Sequence, residues 1–146
     1  MKTQTTLRRL CAKALVTMAL SMPLTAAAQQ QILGKWWSPK KDGHVEIFQD
    51  GDRYHGKIVW GTQPRKDTKN PKPELRNRDL MGVVLFSNFR YDSSDKEWVD
   101  GSIYDPDSGK TYDCKMWVSK DGSILNVRGF VGVSMFGRTE KFERVR

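Results

Sequence analysis

The sequence predicts an all-β protein in which eight antiparallel strands form an up-and-down barrel. Short runs of β-branched and aromatic residues are separated by turn signals along most of the chain. Within these runs apolar residues recur with a period of two, whereas the apolar face of a helix recurs at three and four. Most connections are short, so neighbouring runs are expected to pair as hairpins. Pairing of the first and last strands would remove both exposed edges, and eight strands suffice for such closure.

Residues 1–28 are predicted to be a cleaved signal peptide and not part of this fold. Residues 1–13 contain four basic residues and no acidic one. An apolar run follows at 14–22, and small side chains occupy positions 26–28, after Pro23. The apolar run is too short to cross a bilayer, which needs about 20 residues. We therefore expect a periplasmic or secreted protein without a membrane span.

The remaining residues, 29–146, are enough for one domain and not for two. The leader carries four basic residues, so its removal halves the formal net charge of +8. The remaining basic residues are dispersed, which argues against a nucleic-acid-binding protein. Cys114 is the single cysteine after the leader, so no intramolecular disulfide can form. Its place in an alternating run predicts a buried side chain, although an intermolecular bridge or a reactive thiol stays open.

The eight predicted strands follow the turn signals in order. They cover 34–38, 44–49, 53–60, 83–91, 97–104, 110–118, 124–131 and 138–145. The Asp-Gly step in 50–52 is a strong hairpin signal between the second and third runs. In the sixth run, Cys114 and Met116 share one face and the charged residue between them takes the other. Trp36 and Trp37 are adjacent and must point to opposite faces, so only one of them can enter the core.

One connection, Gly61 to Met81, is long. It contains three prolines and charges of both signs, and proline removes a donor from a strand ladder. Two interpretations remain open. The segment either covers one mouth of the barrel as a lid or partner surface, or is a solvated insertion with one helical turn at Pro73 to Arg76.

Several segments resemble a known bacterial family. They are Gly34-Lys35-Trp36, Arg76 to Gly82 (RNRDLMG), Ile103 to Tyr112 (IYDPDSGKTY) and Gly129 to Arg138 (GFVGVSMFGR). In this order they resemble the exported family called domain of unknown function two-one-four-seven, over Ile32 to Val145. The resemblance implies a lipocalin-like (calycin) barrel, a periplasmic or secreted location and no established enzymatic activity.

A more distant similarity points to the same fold. Lipocalins and fatty-acid-binding proteins open their first strand with glycine-x-tryptophan, which Gly34 and Trp36 match. They also place a basic residue near the end of the last strand, and Arg144 fits that position. The resemblance implies that Arg144 packs over Trp36 and closes one end of the barrel. The chain is short for a lipocalin, which argues against a large lipid as ligand.

The sequence contains no set of residues typical of catalysis. His44 and His55 lie on neighbouring predicted strands without a cysteine or carboxylate at ligand spacing, so no metal or other cofactor is predicted. Asp105 and Asp107 belong to a turn sequence, and no serine has the context of a nucleophile elbow. We therefore expect a protein that is not an enzyme.

Aromatic and basic residues near the predicted strand ends favour ligand binding. Tyr104 and Tyr112 flank one turn, and Arg128 and Arg138 bracket the glycine-rich segment that contains Phe136. The predicted ligand-binding residues are Trp36, Tyr104, Tyr112, Arg128, Phe136 and Arg138. The hypothesis is a small amphipathic or hydrophobic ligand held in the barrel lumen. The alternative is a filled barrel that serves as an envelope protein-interaction or structural module, with a protein partner bound through Gly61 to Met81.

Overall fold

The structure is a computed structural model that describes residues 24–146. The predicted signal peptide lies outside the described residues except for 24–28, which fall in the short helix α1 (Leu24–Gln30). Its cleavage therefore stays a prediction. Within the described part of the chain, no helix combines the length and apolarity needed to cross a bilayer.

Eight strands form a closed antiparallel barrel in chain order, as the sequence predicts. They are β1 (Gly34–Trp37), β2 (Gly43–Asp50), β3 (Arg53–Gly61), β4 (Val84–Asp92), β5 (Glu97–Asp105), β6 (Lys110–Val118), β7 (Ile124–Phe130) and β8 (Arg138–Arg144). Each observed boundary lies within one residue of the predicted one. The barrel closes where Trp36 and Trp37 pair with Arg144 and Glu143.

Buried side chains from all eight strands, together with Ile32, fill the barrel interior. They are Ile32, Trp36, Val45, Ile47, Tyr54, Phe86, Phe89, Trp98, Cys114, Met116, Leu125, Val127 and Phe142. Two glycines make room for phenylalanine rings, because a Cβ at Gly56 would overlap Phe86 and a Cβ at Gly101 would overlap Phe89. The barrel interior therefore holds a packed core.

Arg144 closes one end of the barrel. Its guanidinium lies 4.1 Å from the centroid of the Trp36 ring. It also donates hydrogen bonds to three backbone carbonyls, those of Gln31, Leu33 (3.1 Å) and Gly122 (2.8 Å). The structure thus contains the Arg144–Trp36 pair that the resemblance implies, and burial lowers the pKa of Arg144.

The opposite end, which we call the mouth, carries four connections. These are residues 38–42, 62–83, 106–109 and 131–137. The longest of them, 62–83, contains a single 3-10 turn (Pro73–Leu75) and an isolated antiparallel bridge between Lys66 and Asp79. It is not a continuous strand, as its prolines predict.

Candidate functional site

A cleft of about 720 Å³ opens at the mouth, between the β1–β2 connection, the end of β3 and the long connection. Its apolar lining comes from strand residues and from the end of the long connection: Val45, Ile58, Trp60, Leu80, Met81 and Leu85. Its polar lining is Ser38, Lys40, Asp42, His44, Thr62, Gln63, Arg65, Asp79 and Asp107. An apolar wall beside a few convergent polar groups is the usual composition of a small-molecule site.

Two cations converge on one carboxylate at the rim of the cleft. Arg65 Nη2 and Lys40 Nζ both donate to Asp107, the latter at 3.1 Å. The hydrogen bonds from Arg65 and Lys40 hold the pKa of the Asp107 carboxyl below its usual range, and the same pairing raises the pKa of Lys40. These side chains are largely exposed, so the pairs add little stability. They do place N–H donors and a carboxylate acceptor together at the cleft entrance.

His44 lines the cleft within an aromatic cluster on the outer face of the barrel. The centroid of its ring lies 4.1 Å from the ring centroid of Trp37 and 4.7 Å from that of Trp60. A bulge in the β2–β3 pairing places His44 opposite Trp60 and Val45 opposite Ile58. Burial lowers the pKa of His44, so its imidazole is neutral at neutral pH. Its Nε2 is buried and has no hydrogen-bond partner among the described residues.

The two histidines do not meet. His55 pairs with Phe48 across the hairpin and stacks on its ring at 5.6 Å. Among residues 24–146, no group of three or more His, Cys, Asp or Glu side chains is placed to hold a metal ion.

The long connection is anchored to the barrel through a buried carboxylate. Asp67 is 0% exposed. The Tyr104 hydroxyl on β5 donates to Asp67 Oδ1 at 2.5 Å, and Asn70 Nδ2 and Arg78 Nη2 each lie 2.7 Å from Oδ2. Burial alone would raise the pKa of Asp67, but the hydrogen bonds from Tyr104, Asn70 and Arg78 outweigh it and hold that pKa low.

Backbone contacts fix the same connection at two further points. The Leu80 N–H donates to the Arg65 carbonyl at 2.9 Å, beside the bridge of Lys66 and Asp79. Gly109, at φ +72°, packs so closely on the carbonyl of Lys69 that a Cβ would overlap it. The connection is therefore a fixed wall of the cleft, to which it contributes Arg65 and Leu80.

None of the six predicted ligand-binding residues lines the cleft. Trp36 is fully buried at the closed end under Arg144. Tyr104 anchors the long connection through Asp67, and burial and that hydrogen bond raise its pKa. Tyr112 is half-buried on β6 opposite Ile103.

The other three surround the β7–β8 connection. The Arg128 guanidinium donates to the carbonyls of Ser134 (2.5 Å) and Met135 (3.0 Å). Phe136 is 81% exposed, and Arg138 is exposed and pairs with Glu140 at 2.6 Å. The structure thus brings Arg128, Phe136 and Arg138 together at the mouth and leaves Trp36 at the other end.

The residues of the cleft itself were missed by sequence reasoning. A usable signal existed for Trp60, because the turn at 50–52 sets a hairpin register that brings the end of β3 beside the start of β2. Arg65 and Leu80 had no such signal, because their place depends on the contact of Asp67 with Tyr104, which is 37 residues away in sequence.

Residues 34–144 match the bacterial family described as "Uncharacterized protein conserved in bacteria (DUF2147)". Among solved structures, the chain is similar to protein HP1028 from the human pathogen Helicobacter pylori, which is described as belonging to the lipocalin family. The TM-score is 0.69 with 22% sequence identity, over 79% of this chain and 83% of that chain. No curated protein matches the chain. At this identity the similarity establishes a lipocalin-like fold.

Proposed function

This chain belongs to the DUF2147 family of uncharacterized bacterial proteins, and we propose that it is an exported protein that binds a small amphipathic molecule without catalysing a reaction. The observation that carries this proposal is the mouth cleft, where an apolar wall meets the charged rim of Lys40, Arg65 and Asp107. The lipocalin-like fold supports it, because small barrels of eight strands accommodate single small ligands.

The chemistry of the cleft defines the kind of ligand. Trp60 and Leu80 offer apolar contact to a short hydrocarbon or aromatic group, while Lys40 and Arg65 offer N–H donors to a polar head. The ring of His44 also lines the cleft and packs on Trp60. A volume of about 720 Å³ falls within the range of small-molecule sites. A ligand with one polar end and one compact apolar end fits this arrangement.

The proposed position is the mouth and not the lumen. The sequence-based hypothesis placed the ligand inside the barrel, but the interior holds a packed core that includes Trp36, Phe86 and Trp98. A ligand in the lumen would have to displace these side chains, whereas the cleft is already open, and part of its lining, such as Trp60, is exposed.

Native mass spectrometry of protein purified from the periplasm of its own host tests the proposal. We expect an additional mass that denaturation releases. The intact mass of the polypeptide also shows whether residues 1–28 have been removed, which tests export.

Site variants then test the position of the ligand, with anilinonaphthalene sulfonate as an amphipathic probe. Trp60→Ala and Lys40→Ala should each weaken probe binding about tenfold or less, since each removes a single contact. Lys120→Ala, in the β6–β7 turn at the opposite end, is the matched control and should bind as the wild type does. Unchanged binding by both cleft variants would exclude the mouth cleft as the site.

A second candidate function is a protein-interaction module. The packed interior favours it, because a filled barrel needs no ligand. The partner would bind the exposed basic side chains of the long connection, among them Lys69 and Lys72. The double variant Lys69→Glu/Lys72→Glu should then lose a partner captured by the wild type. A captured set of proteins that does not change would count against this candidate.

A further inference from the structure

The β7–β8 connection presents large apolar side chains to solvent. Val131 is 77% exposed, Met135 74% and Phe136 81%. The remaining large apolar side chains that are exposed in residues 24–146 also lie at the mouth end of the barrel: Val133 in the same connection, Trp60 at the end of β3, Met81 in the long connection and Val84 at the start of β4. Exposed apolar side chains concentrated at one end of a molecule indicate an interaction surface.

The backbone of this connection is held in a defined shape. Arg128 donates from Nε to the Ser134 carbonyl, from Nη2 to the Met135 carbonyl and from Nη1 to Thr139 Oγ1 (2.9 Å). A 3-10 turn (Ser134–Phe136) follows Val133. The apolar side chains are therefore exposed by a fixed backbone with its own hydrogen bonds.

Positive charge accumulates at the same end of the barrel. The four connections at the mouth contain eight basic and five acidic residues, whereas the three connections at the opposite end, 51–52, 93–96 and 119–123, contain two basic and three acidic ones. Arg138 borders the apolar connection with a side chain that is 87% exposed and paired with Glu140. Apolar and basic side chains thus share one end.

We propose that the mouth end docks on the surface of an anionic lipid bilayer. Met135 and Phe136 insert between the lipids, and basic side chains such as Lys69 and Arg138 lie over the anionic head groups. Peripheral membrane contacts combine these two elements, inserted apolar side chains and electrostatic attraction to anionic lipids.

The shape of the surface favours a bilayer over a protein partner. A stable protein interface buries about 800 Å² and about 20–30 residues on each side, in a packed patch. Here the most exposed apolar side chains sit in one short connection, 131–137, while the others lie at the end of β3, in the long connection and at the start of β4. A lipid surface accepts such separate insertions. This inference goes beyond the proposed ligand site, because the inserted Met135 and Phe136 lie outside the cleft, although docking would turn the cleft toward the bilayer.

Co-flotation with lipid vesicles tests the inference on protein expressed from the complete sequence and purified in the form that the host produces. We expect the wild type to float with vesicles of phosphatidylglycerol and phosphatidylethanolamine and to remain in solution with vesicles of phosphatidylcholine alone. The double variant Met135→Ser/Phe136→Ser should reduce the bound fraction about tenfold. Both side chains are exposed, so the barrel should keep its thermal midpoint. All variants share the same N-terminus, so any contribution from residues 1–28 is equal among them.

A pair of charge variants serves as a matched comparison. Lys69→Glu, in the long connection at the mouth, should weaken binding to anionic vesicles, and Lys120→Glu, at the opposite end, should leave it unchanged. Equal effects of these two variants, or undiminished flotation of the Met135→Ser/Phe136→Ser variant, would overturn the proposal. The proposal would also be overturned if the wild type did not bind vesicles and instead bound a protein partner that the Met135→Ser/Phe136→Ser variant no longer captures. Probe binding in the cleft is measured without lipid, so a failure of docking and a failure of the ligand proposal are distinguishable.

Discussion

At the scale of single residues, Arg144 shows how one side chain performs several structural tasks. Its planar guanidinium covers the Trp36 ring and at the same time bonds to carbonyls of the N-terminal segment and of the β6–β7 turn. A guanidinium over an indole contributes about 0.5–2 kcal/mol, depending on how far it is desolvated. Lysine would keep the charge but could not reach three carbonyls in different directions. The closed end therefore depends on arginine specifically.

Asp67 has a comparable role at the mouth, and its pKa gives a prediction. Replacement by the near-isosteric Asn should destabilise the protein by about 1–3 kcal/mol at neutral pH, because the charge-assisted hydrogen bonds from Tyr104 and Arg78 are weakened. The folded pKa of Asp67 is depressed, so its contribution is present above the unfolded pKa of about 3.9 and disappears as the pH falls through the folded pKa.

Urea unfolding of the wild type and of Asp67→Asn over a range of acidic and neutral pH checks this prediction. The difference in unfolding free energy should be largest near neutral pH and shrink toward acid. Asp79→Asn is the matched control in the same connection, since Asp79 is exposed and its pair with Lys66 contributes about 0–1 kcal/mol. A difference that does not change with pH would show that the charge of Asp67 is not the stabilising feature.

At the scale of elements, the two largest mouth connections are both ordered by buried or half-buried polar side chains. Asp67 fixes the long connection, and Arg128 fixes the β7–β8 connection through its two carbonyl contacts. The large apolar side chains of the β7–β8 connection are exposed, and Leu80 is the one apolar side chain of the long connection that is buried. The shape of the mouth thus depends on a small number of polar contacts and can change without unfolding the barrel.

Arg128→Ala tests this separation of mouth and barrel. Loss of the guanidinium leaves the carbonyls of Ser134 and Met135 without their donor, so amide hydrogen exchange in 131–137 should become faster. Exchange in the barrel strands should change little, and so should the thermal midpoint. Arg138→Ala is the matched control, because that side chain is largely exposed and should leave exchange in the connection unaltered. Faster amide exchange throughout the barrel strands of Arg128→Ala would instead show that this contact stabilises the whole fold.

The strands could be predicted from the sequence because the signals that define them are local. The turn at 50–52 and the alternation around Cys114 and Met116 involve neighbouring residues only, and they reproduce the observed boundaries. The cleft could not be predicted in the same way. It depends on the contact between Asp67 and Tyr104, which joins a loop to a distant strand, and on a bulge in the register near His44.

At the scale of the whole molecule, closure of the sheet distributes stability around the barrel. Every strand has two neighbours, and the first pairs with the last, so among the described strands none offers a free edge from which the barrel could fray. The core residues come from all eight strands and contact one another through the interior. Access to the middle of this core should therefore require cooperative opening of the barrel and not a local movement.

Cys114 provides a direct test of that cooperativity. Its side chain is 1% exposed on β6, between Gly101 of β5 and Gly129 of β7. The buried thiol is inaccessible to reagents. Burial also raises its pKa to about 12, so at neutral pH it is protonated, whereas the thiolate is the reactive form. Modification by a thiol reagent should then occur only from the open state and should accelerate with urea in parallel with global unfolding.

The measurement is the rate of iodoacetamide labelling as a function of urea, followed by intact mass, with Cys114→Ala as the blank. Cys11 lies outside the described residues, in the predicted leader, so labelling is read from chains whose intact mass shows that the leader is absent. A mature chain should take up none until the barrel opens. Rapid labelling of Cys114 without denaturant would mean that the strands around it open locally, and the closed barrel would not behave as one cooperative unit.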